Sequence, residues 1–339
     1  MSEKRLIKMN ANENYFLEEE WMRSVVREAL DLIDIRRYPN IYEHETKKAI
    51  AEFQNVPPEN IILGNGSDEV IDCTLKSFMT PGDNLLIHSP TFGMYKFYAP
   101  FIGVTTNEVS LNQDFTLDVE AMLEAIDHKT KLVIICSPNN PTGNQFPIED
   151  TIQMIEKSSA PVIIDEAYAD LARYSVVDLL KDYRNMLVFK TFSKSFGLAG
   201  IRVGYGIASK ENAERIKKAI PPFNVNSAAL AAVRVILKKR DHIKRKIEEA
   251  KAERKRFYQE LAKIEGLIPY PSETNFILMR LSTEYNAEEI VKKLEQRNII
   301  IRYWGFEPLL RNCIRVSVGN REMNGTFLEA LTEIMEENA

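Results

Sequence analysis

The chain has 339 residues, of which 45% are apolar and 27% are charged, and its formal net charge is -5. This composition is typical of a soluble globular protein, and the acidic balance gives no reason to expect nucleic acid or a membrane surface as a partner. No apolar run approaches the roughly 18 residues that a membrane span needs, and the start of the chain lacks the apolar stretch of a signal peptide, so we expect a cytoplasmic protein.

The middle of the chain predicts an α/β unit in which buried strands alternate with amphipathic helices. Apolar runs typical of buried strands lie at residues 61–63, 84–88, 104–109, 132–136, 162–164, 186–190 and 202–207. Helical patterns lie between several of these runs, at residues 67–79, 118–126 and 149–157. The alternation predicts a mostly parallel sheet, and functional residues in such sheets lie at the carboxyl ends of the strands.

The pattern changes after residue 226 and predicts a second, smaller α+β unit. An Ala-rich apolar run at residues 227–237 is followed by a long amphipathic helix at residues 241–264. Apolar runs then lie at residues 275–281, 299–303 and 313–318, and further helices are predicted at residues 287–297 and from residue 320 onward. We predict a large domain at residues 36–235 and a small domain that combines residues 1–35 with residues 236–339.

Cysteine and histidine are sparse and scattered. Cys73, Cys136 and Cys313 form no CxxC pair, which suits a reducing cytoplasm. The four histidines also lie far apart, and the chain contains no HExxH motif and no Cys/His cluster. We therefore predict no metal site.

Lys194 follows the predicted strand at residues 186–190, between two serines in the segment TFSKSFG. Nearby cations such as Arg202 would disfavour its ammonium form and leave a free amine that can bond covalently to a carbonyl carbon. A solvated surface lysine is the alternative, and the choice between the two depends on the neighbouring motifs.

Two other predicted strands also end in polar residues. Asp165 ends a buried apolar run, where a carboxylate is energetically unfavourable unless it is paired, for example with the protonated ring nitrogen of an aromatic ligand. The alternative for Asp165 is a helix cap. Asn140 lies in SPNNPTG, whose prolines and glycine fix a stiff loop. Asn140 and Tyr168 could both donate a hydrogen bond to an oxygen on the ring of such a ligand. A plain turn is the alternative for Asn140.

The segment GNGSDE follows the first predicted strand and opens a helix. Its glycines allow a close backbone approach, so the free amides at Ser67 and Asp68 could bind an anion. Ser193 and Arg202 would complete this cradle, with Arg202 as a permanent cation. The segment is neither a GxGxxG fingerprint nor a Walker loop. Phe92, in PTFG, could stack on a ring face, and a core aromatic is the alternative.

Together these motifs resemble the fold-type I pyridoxal 5'-phosphate (PLP) enzymes of the class I/II aminotransferase group. GNGSDE, PTFGMY, SPNNPTG, DEAY, TFSKSFGLAGIR, SETNF and CIRVSVG occur in this order over nearly the whole chain. The set is most similar to the histidinol-phosphate aminotransferase family. The resemblance implies a mostly parallel PLP-binding domain, a smaller α+β domain, and PLP as the cofactor.

The resemblance also implies a role for each residue. Lys194 is similar to the lysine that binds PLP covalently and carries a proton, and Asp165 to the partner of the pyridine nitrogen. Asn140 and Tyr168 resemble the donors to the ring 3'-oxygen. The residues similar to the phosphate cradle of this family are Ser67, Asp68, Ser193 and Arg202.

A shared-site homodimer and a phosphorylated substrate follow from the same resemblance. Tyr38 resembles the tyrosine that reaches the PLP phosphate of the neighbouring subunit. Arg315 matches the arginine that holds the anionic group of the substrate, and Arg302 matches a second arginine on the substrate side. Surface salt bridges are the alternative for both. Asn14 lies in NANEN, which resembles the N-terminal segment on the substrate side of these enzymes.

The N-terminal segment departs from the family pattern. The family often has NENP where this chain has NENYF. Its members also usually carry a tyrosine upstream of this motif that touches the substrate phosphate, and this chain begins too close to the motif to supply it. We expect Tyr15 or Phe16 to cover the substrate differently. This departure favours a paralogue that uses another small phosphorylated molecule.

Three functions are open at this point. The leading hypothesis is amino-group transfer between glutamate/2-oxoglutarate and a small phosphorylated substrate, with histidinol phosphate and imidazole-acetol phosphate as first choice and another keto-phosphate or amino-alcohol phosphate as alternative. The second is decarboxylation of a phosphorylated amino acid, because the same cofactor contacts serve both reactions. The third is a non-catalytic binding protein, against which the presence of Lys194 argues.

Overall fold

The structure is a computed structural model that describes residues 6–337. Its helices are α1 (Glu19–Asp31), α2 (Asn40–Gln54), α3 (Ser67–Phe78), α4 (Met94–Tyr98), α5 (Val119–Glu124), α6 (Ile148–Lys157), α7 (Lys210–Lys217), α8 (Ser227–Lys238), α9 (Arg240–Leu261), α10 (Ala287–Gln296) and α11 (Arg321–Glu336). Its strands are β1 (Ile7–Lys8), β2 (Ile61–Gly64), β3 (Asn84–Ser89), β4 (Thr105–Ser110), β5 (Thr130–Cys136), β6 (Val162–Asp165), β7 (Met186–Thr191), β8 (Gly204–Ala208), β9 (Leu267–Pro269), β10 (Phe276–Leu281), β11 (Ile299–Ile300), β12 (Arg302–Tyr303) and β13 (Cys313–Ser317).

Seven strands form the large sheet, in the order β2-β8-β7-β6-β5-β3-β4. Strand β8 runs antiparallel to β2 and β7, and the other neighbouring pairs are parallel. The predicted mostly parallel sheet is therefore confirmed. Every residue of β6 and β7 is buried. Strands that are buried on both faces have continuous apolar runs, and this explains why they were visible in the sequence.

Two predicted strands differ from the structure. The run at residues 202–207 begins as a strand only at Gly204, because Arg202 has a left-handed backbone with φ of 59°. The run at residues 299–303 is divided between two sheets. Its first part, β11, pairs in parallel with β1, and its second part, β12, pairs antiparallel with β13.

The second unit is built on an antiparallel sheet of four strands in the order β12-β13-β10-β9. Met9, Phe257 and Phe327 belong to the hydrophobic cluster of this unit, whereas Val25 and Ala29 of α1 belong to the cluster of the large sheet. The division into domains at residues 36 and 235 stays a prediction. Residues 1–5 and 338–339 of the predicted small domain lie outside the described residues.

The N-terminus of α3 is not capped by a side chain, in contrast to those of several later helices. Asparagine side chains cap α8, α10 and α11, where Asn226, Asn286 and Asn320 accept backbone N–H groups of the first turn. Helix α3 begins after Gly66, which has a φ of 84° and offers no capping side chain. The first N–H groups of α3 are therefore available to a bound anion.

Candidate active site

A cavity of about 210 Å³ lies at the carboxyl ends of the central strands, between the large sheet, the second sheet and the N-terminal segment. Ten of the thirteen predicted site residues line it: Ser67, Asp68, Phe92, Asn140, Asp165, Tyr168, Ser193, Lys194, Arg202 and Arg315. Strand ends of a parallel sheet converge at one edge, so residues that are distant in sequence meet there. No group of His, Cys, Asp or Glu side chains within residues 6–337 is arranged to hold a metal ion.

Lys194 is half-buried, and its Nζ donates a hydrogen bond to the carbonyl oxygen of Ala11 at 3.1 Å. Burial and the nearby Arg315 guanidinium lower the pKa of Lys194 to about 8. Lys190, four residues earlier on β7, lies 3.0 Å from Glu166 Oε2, and this carboxylate helps to raise the pKa of Lys190 despite its burial. Two lysines close in sequence thus differ in chemistry, and Lys194 is the one suited to act as a nucleophile.

Asp165 ends β6 and is almost fully buried. Its Oδ2 accepts a hydrogen bond from the Tyr95 hydroxyl at 2.7 Å, and its Oδ1 accepts one from the backbone N–H of Ala167 at 3.0 Å. Burial raises the pKa of Asp165 to about 6, although these hydrogen bonds oppose the rise. Among the described residues no basic side chain forms an ion pair with Asp165, so this carboxylate can pair with a cationic group in the cavity.

Asn140 and Tyr168 line the cavity beside Asp165. The Asn140 Oδ1 accepts a hydrogen bond from the Arg315 guanidinium. The Tyr168 hydroxyl accepts a hydrogen bond from Asn12 Nδ2 at 2.9 Å. Both acceptor atoms are thus occupied, which leaves the Asn140 amide N–H₂ and the Tyr168 O–H free to donate to a ligand.

The cradle for an anion is formed by the first turn of α3 and by Arg202, whose Nη2 lies 2.9 Å from Asp68 Oδ2. Two glycines permit this close packing. A Cβ atom at Gly204 would lie 2.1 Å from the backbone nitrogen of Ser67, and one at Gly66 would lie 2.5 Å from Arg202 Nη2. Any side chain at position 204 would therefore displace the backbone that begins α3.

Arg315 lies on β13 and is only 5% exposed. Its Nη2 donates to the carbonyl oxygen of Asn10 at 2.9 Å, and its Cζ lies 4.9 Å from the centre of the Phe276 ring. Burial, together with the neighbouring Arg302, lowers the pKa of Arg315 to about 10. No carboxylate of the described chain forms an ion pair with it, so the surface salt bridge considered for this residue is absent there.

Three predicted residues, Tyr38, Arg302 and Asn14, do not line the cavity. Tyr38 is 73% exposed and stacks on Phe223 at a distance of 4.7 Å between ring centres. Arg302 is exposed on β12, directly opposite Arg315. The Asn14 Nδ2 donates to the carbonyl oxygen of Ser195 at 2.9 Å. Their proposed roles stay predictions.

The structure also shows where Tyr15 and Phe16, the residues that depart from the family pattern, are placed. The Tyr15 hydroxyl lies within hydrogen-bonding distance of Glu13 Oε2 and of the carbonyl oxygen of Lys8. Phe16 packs against the hydrophobic cluster of the four-stranded sheet. Neither side chain lines the cavity.

The sequence analysis missed Tyr95 and Asn12. Tyr95 lies in PTFGMY and Asn12 lies in NANEN, so both segments were identified but these two residues were not. Both side chains are buried and hydrogen-bonded to predicted site residues. Their burial and these contacts are visible only in the structure, and the sequence carries no signal that would have singled them out.

The cavity thus combines an amine of lowered pKa, a buried carboxylate, an anion cradle and a buried guanidinium. The model of the family described as aminotransferase class I and II matches residues 4–331. The chain belongs to this aminotransferase family. Membership confirms the predictions of fold type I, of PLP as the cofactor and of a PLP-dependent aminotransferase. The residues that line the cavity fit PLP, because they offer a separate partner for its aldehyde, ring nitrogen and phosphate.

Individual aminotransferases agree with the family match. The histidinol-phosphate aminotransferase of Thermococcus gammatolerans is 39% identical over 97% of this chain and 92% of its own length. That of Dehalococcoides mccartyi strain 195 is 37% identical over 98% and 91%. The solved structure of histidinol-phosphate aminotransferase from Sinorhizobium meliloti in complex with PLP has a TM-score of 0.91 at 26% identity, covering 99% of this chain and 92% of that one. The enzyme of the same name from Clostridium acetobutylicum has a TM-score of 0.89 at 29% identity, with 98% and 100% covered.

Proposed function

We propose that this aminotransferase moves an amino group between glutamate/2-oxoglutarate and the pair histidinol phosphate/imidazole-acetol phosphate. The observation that carries the proposal is the Arg315 guanidinium, which is buried beside Lys194 without a carboxylate partner in the described chain. A buried cation of this kind requires an anionic ligand. The names of the relatives at 39% and 37% identity support histidinol phosphate as the molecule that carries this anion.

The cofactor would be held by residues at the ends of five strands, β2, β3, β5, β6 and β7, and by Arg202, which precedes β8. Lys194 would bind PLP covalently, Asp165 would pair with the ring nitrogen, and Phe92 would pack on the ring face. Asn140 and Tyr168 donate to the 3'-oxygen. The phosphate is held by the first turn of α3 and by Ser67, Asp68, Ser193 and Arg202. PLP supplies an electron-accepting ring that stabilises negative charge at the α-carbon of the substrate.

Lys194 is also the acid and base of the reaction. Once the amino donor has displaced Lys194 from its covalent bond, the released amine would take the proton from the α-carbon of the donor and later give it back. The lowered pKa of Lys194, about 8, lets the amine exist in both protonation states near neutral pH. Asp165 keeps the ring nitrogen protonated, and the Tyr95 hydroxyl orients the Asp165 carboxylate.

Arg315 binds the phosphate of the substrate as a fork of N–H donors, and Arg302 adds a second positive charge from the opposite strand. The N-terminal segment that contains Asn14 covers the substrate, and Asn10 and Asn12 attach this segment to the second sheet. Water is thereby excluded from the reacting atoms, which strengthens each of these polar contacts.

A cytoplasmic homodimer completes the proposal. Ile35, Tyr38, Ile41 and Phe223 are apolar or aromatic side chains that are 45–79% exposed on one protomer. Burial of this surface against a second copy would bring Tyr38 to the PLP phosphate of the partner subunit. Sedimentation should then give twice the mass of the chain, and Tyr38→Phe should weaken PLP binding. A monomer that is fully active would contradict the shared site.

The substrate is tested by incubating the purified PLP enzyme with histidinol phosphate and 2-oxoglutarate. We expect glutamate to form together with imidazole-acetol phosphate, and we expect histidinol without the phosphate to react far more slowly. Other phosphorylated amines and amino acids serve as competitors. Release of CO₂ from phosphoserine or phosphothreonine without consumption of 2-oxoglutarate would instead establish a decarboxylase.

A further inference from the structure

Two arginines face each other on the second sheet. Arg302 on β12 is paired in register with Arg315 on β13, and directly opposite residues of antiparallel strands project to the same face. Like charges at such positions repel each other. Neither arginine forms an ion pair with a carboxylate in the described part of the chain, so this repulsion must be offset in another way.

The indole ring of Trp304 lies next to both guanidinium groups. The Cζ of Arg302 lies 5.7 Å from the centre of the Trp304 ring, and the Cζ of Arg315 lies 5.6 Å from it. At these distances the electron-rich ring face attracts both cations. Trp304 follows Arg302 by two residues, and its backbone N–H donates to the carbonyl oxygen of Cys313, which fixes the ring close to β13.

Two buried hydrogen-bond donors that lack a partner in the described chain belong to Trp304 and Arg315. The Trp304 Nε1 and the Arg315 Nε are both buried and have no hydrogen-bond acceptor in residues 6–337. Each unsatisfied buried donor is unfavourable, and native proteins keep few of them. Two unsatisfied donors on contacting side chains, in a region of net positive charge, indicate the place of a missing acceptor with negative charge.

We propose that Trp304 is a specificity-determining residue, whose Nε1–H donates a hydrogen bond to a phosphate oxygen of the substrate while its ring holds Arg302 and Arg315 around the same group. This inference rests on the proposed function, since it concerns the anion that Arg315 binds. It assigns to the site a preference for a phosphate over a carboxylate.

The preference follows from the number of oxygens. A carboxylate has two oxygens, and the guanidinium fork of Arg315 can engage both of them. A phosphate monoester has a third terminal oxygen and a charge of about -1.5 to -2 near neutral pH. The third oxygen can accept a hydrogen bond from Trp304 Nε1–H, and the additional negative charge can be attracted by the Arg302 guanidinium. Glutamate can therefore bind without using Trp304, whereas the phosphorylated substrate uses it fully.

The test compares Trp304→Phe with Trp21→Phe. Phenylalanine keeps a ring beside the two arginines but removes the N–H donor. Neither tryptophan lines the cavity, but Trp304 lies beside Arg302 and Arg315, whereas Trp21 stacks on His242 at 4.2 Å between ring centres. Trp21 is therefore a matched control. For Trp304→Phe we expect the KM for histidinol phosphate to rise by about tenfold, with kcat and the KM for glutamate each changed less than about twofold. Trp21→Phe should leave all of these constants near their original values.

A binding measurement separates this inference from the identity of the substrate. The chain contains two tryptophans, so Trp304 is the only one in the Trp21→Phe variant. In the PLP-bound form of this variant, where the cofactor cradle is filled, inorganic phosphate should change the tryptophan fluorescence in a saturable way. Acetate at the same concentration should change it much less.

The outcomes are distinct. If the original enzyme does not react with histidinol phosphate but Trp304 fluorescence still responds to phosphate, the proposed substrate is wrong and the proposed role of Trp304 stands. If Trp304→Phe changes neither KM, or raises both KM values equally, or if phosphate and acetate affect Trp304 alike, the proposed role of Trp304 is wrong.

Discussion

The two sides of the cavity are built from the chain in different ways. The cofactor side consists of Ser67, Asp165, Lys194 and Arg202, each of which lies within a few residues of a strand of the large sheet. The substrate side consists of Asn12 and Arg315, which line the cavity, and of Asn10 and Trp304, which contact Arg315. Its hydrogen bonds join residues 305 positions apart in sequence. The cofactor side is therefore fixed by one sheet, whereas the substrate side forms only when the N-terminal segment packs on the second sheet.

This difference predicts how far the effect of a mutation extends within the cavity. A change on the cofactor side should act locally, because buried strands hold each residue in place. A change on the substrate side should act on several residues at once, because Arg315 is hydrogen-bonded to both Asn10 and Asn140, and Asn12 is hydrogen-bonded to Tyr168. Four experiments test this comparison, from the largest expected effect to the smallest.

The largest effect is expected for Lys194→Ala. Loss of the nucleophilic amine should reduce kcat by at least about a thousandfold, because both covalent attachment and proton transfer depend on it. After reduction with borohydride, mass spectrometry of the original enzyme should locate the PLP adduct on Lys194. Lys190 is an internal control, since its ion pair with Glu166 keeps it protonated. An adduct on Lys190, or an active Lys194→Ala variant, would refute the assignment.

The next effect concerns the beginning of α3. In Gly204→Ala the new Cβ would lie 2.1 Å from the backbone nitrogen of Ser67, so the first turn must move away from the cradle. Overpacking of this kind costs about 1–3 kcal/mol, and we expect PLP affinity to fall by about tenfold or more. Gly200→Ala is the control, because a Cβ there meets no atom within 4 Å. Equal PLP affinity in the two variants would show that the contact at position 204 is unimportant.

The same contrast explains what could be predicted from sequence. Asp165 and Lys194 were identified because a continuous apolar run indicates a buried strand, and polar residues at the ends of parallel strands converge whatever the order of the strands. Tyr95 was missed because its contact with Asp165 depends on how α4 lies over the sheet. Hydrophobic periodicity gives the face of a helix that is buried but not the residue that it meets.

The substrate side was predicted less completely for a related reason. Arg315 was identified only through the resemblance to a family, and Trp304 was not identified at all. Their relation depends on the register between β12 and β13, which places Arg302 opposite Arg315. Two-residue strands such as β11 and β12 have too few residues to show an alternation, so neither the division of residues 299–303 nor this register could be read from the sequence.

A smaller effect is expected for Asn12→Ala. Asn12 donates to the Tyr168 hydroxyl through Nδ2 and to Ser317 Oγ through its backbone N–H. Removal of the side chain frees Tyr168 and loosens the N-terminal segment, and we expect kcat/KM to fall by about tenfold for the phosphorylated substrate and for glutamate alike. PLP affinity should change by less than about threefold. A loss of PLP binding as large as the loss of kcat/KM would mean that the two sides are not built independently.

The smallest effect is an electrostatic one that joins the two sides. The Arg315 guanidinium helps to lower the pKa of Lys194 to about 8, and covalent attachment of PLP requires the neutral amine. In apoprotein, the attachment rate should therefore rise with pH through about 8. Arg315→Met removes one cause of the lowered pKa, so the midpoint should move to higher pH and the rate at pH 7.5 should fall by about two- to threefold. Arg302→Met should move the midpoint less, because Arg302 is not among the main influences on Lys194. A midpoint that stays unchanged in Arg315→Met would mean that Arg315 does not contribute to the lowered pKa of Lys194, and the substrate side would then be electrostatically separate from the cofactor side.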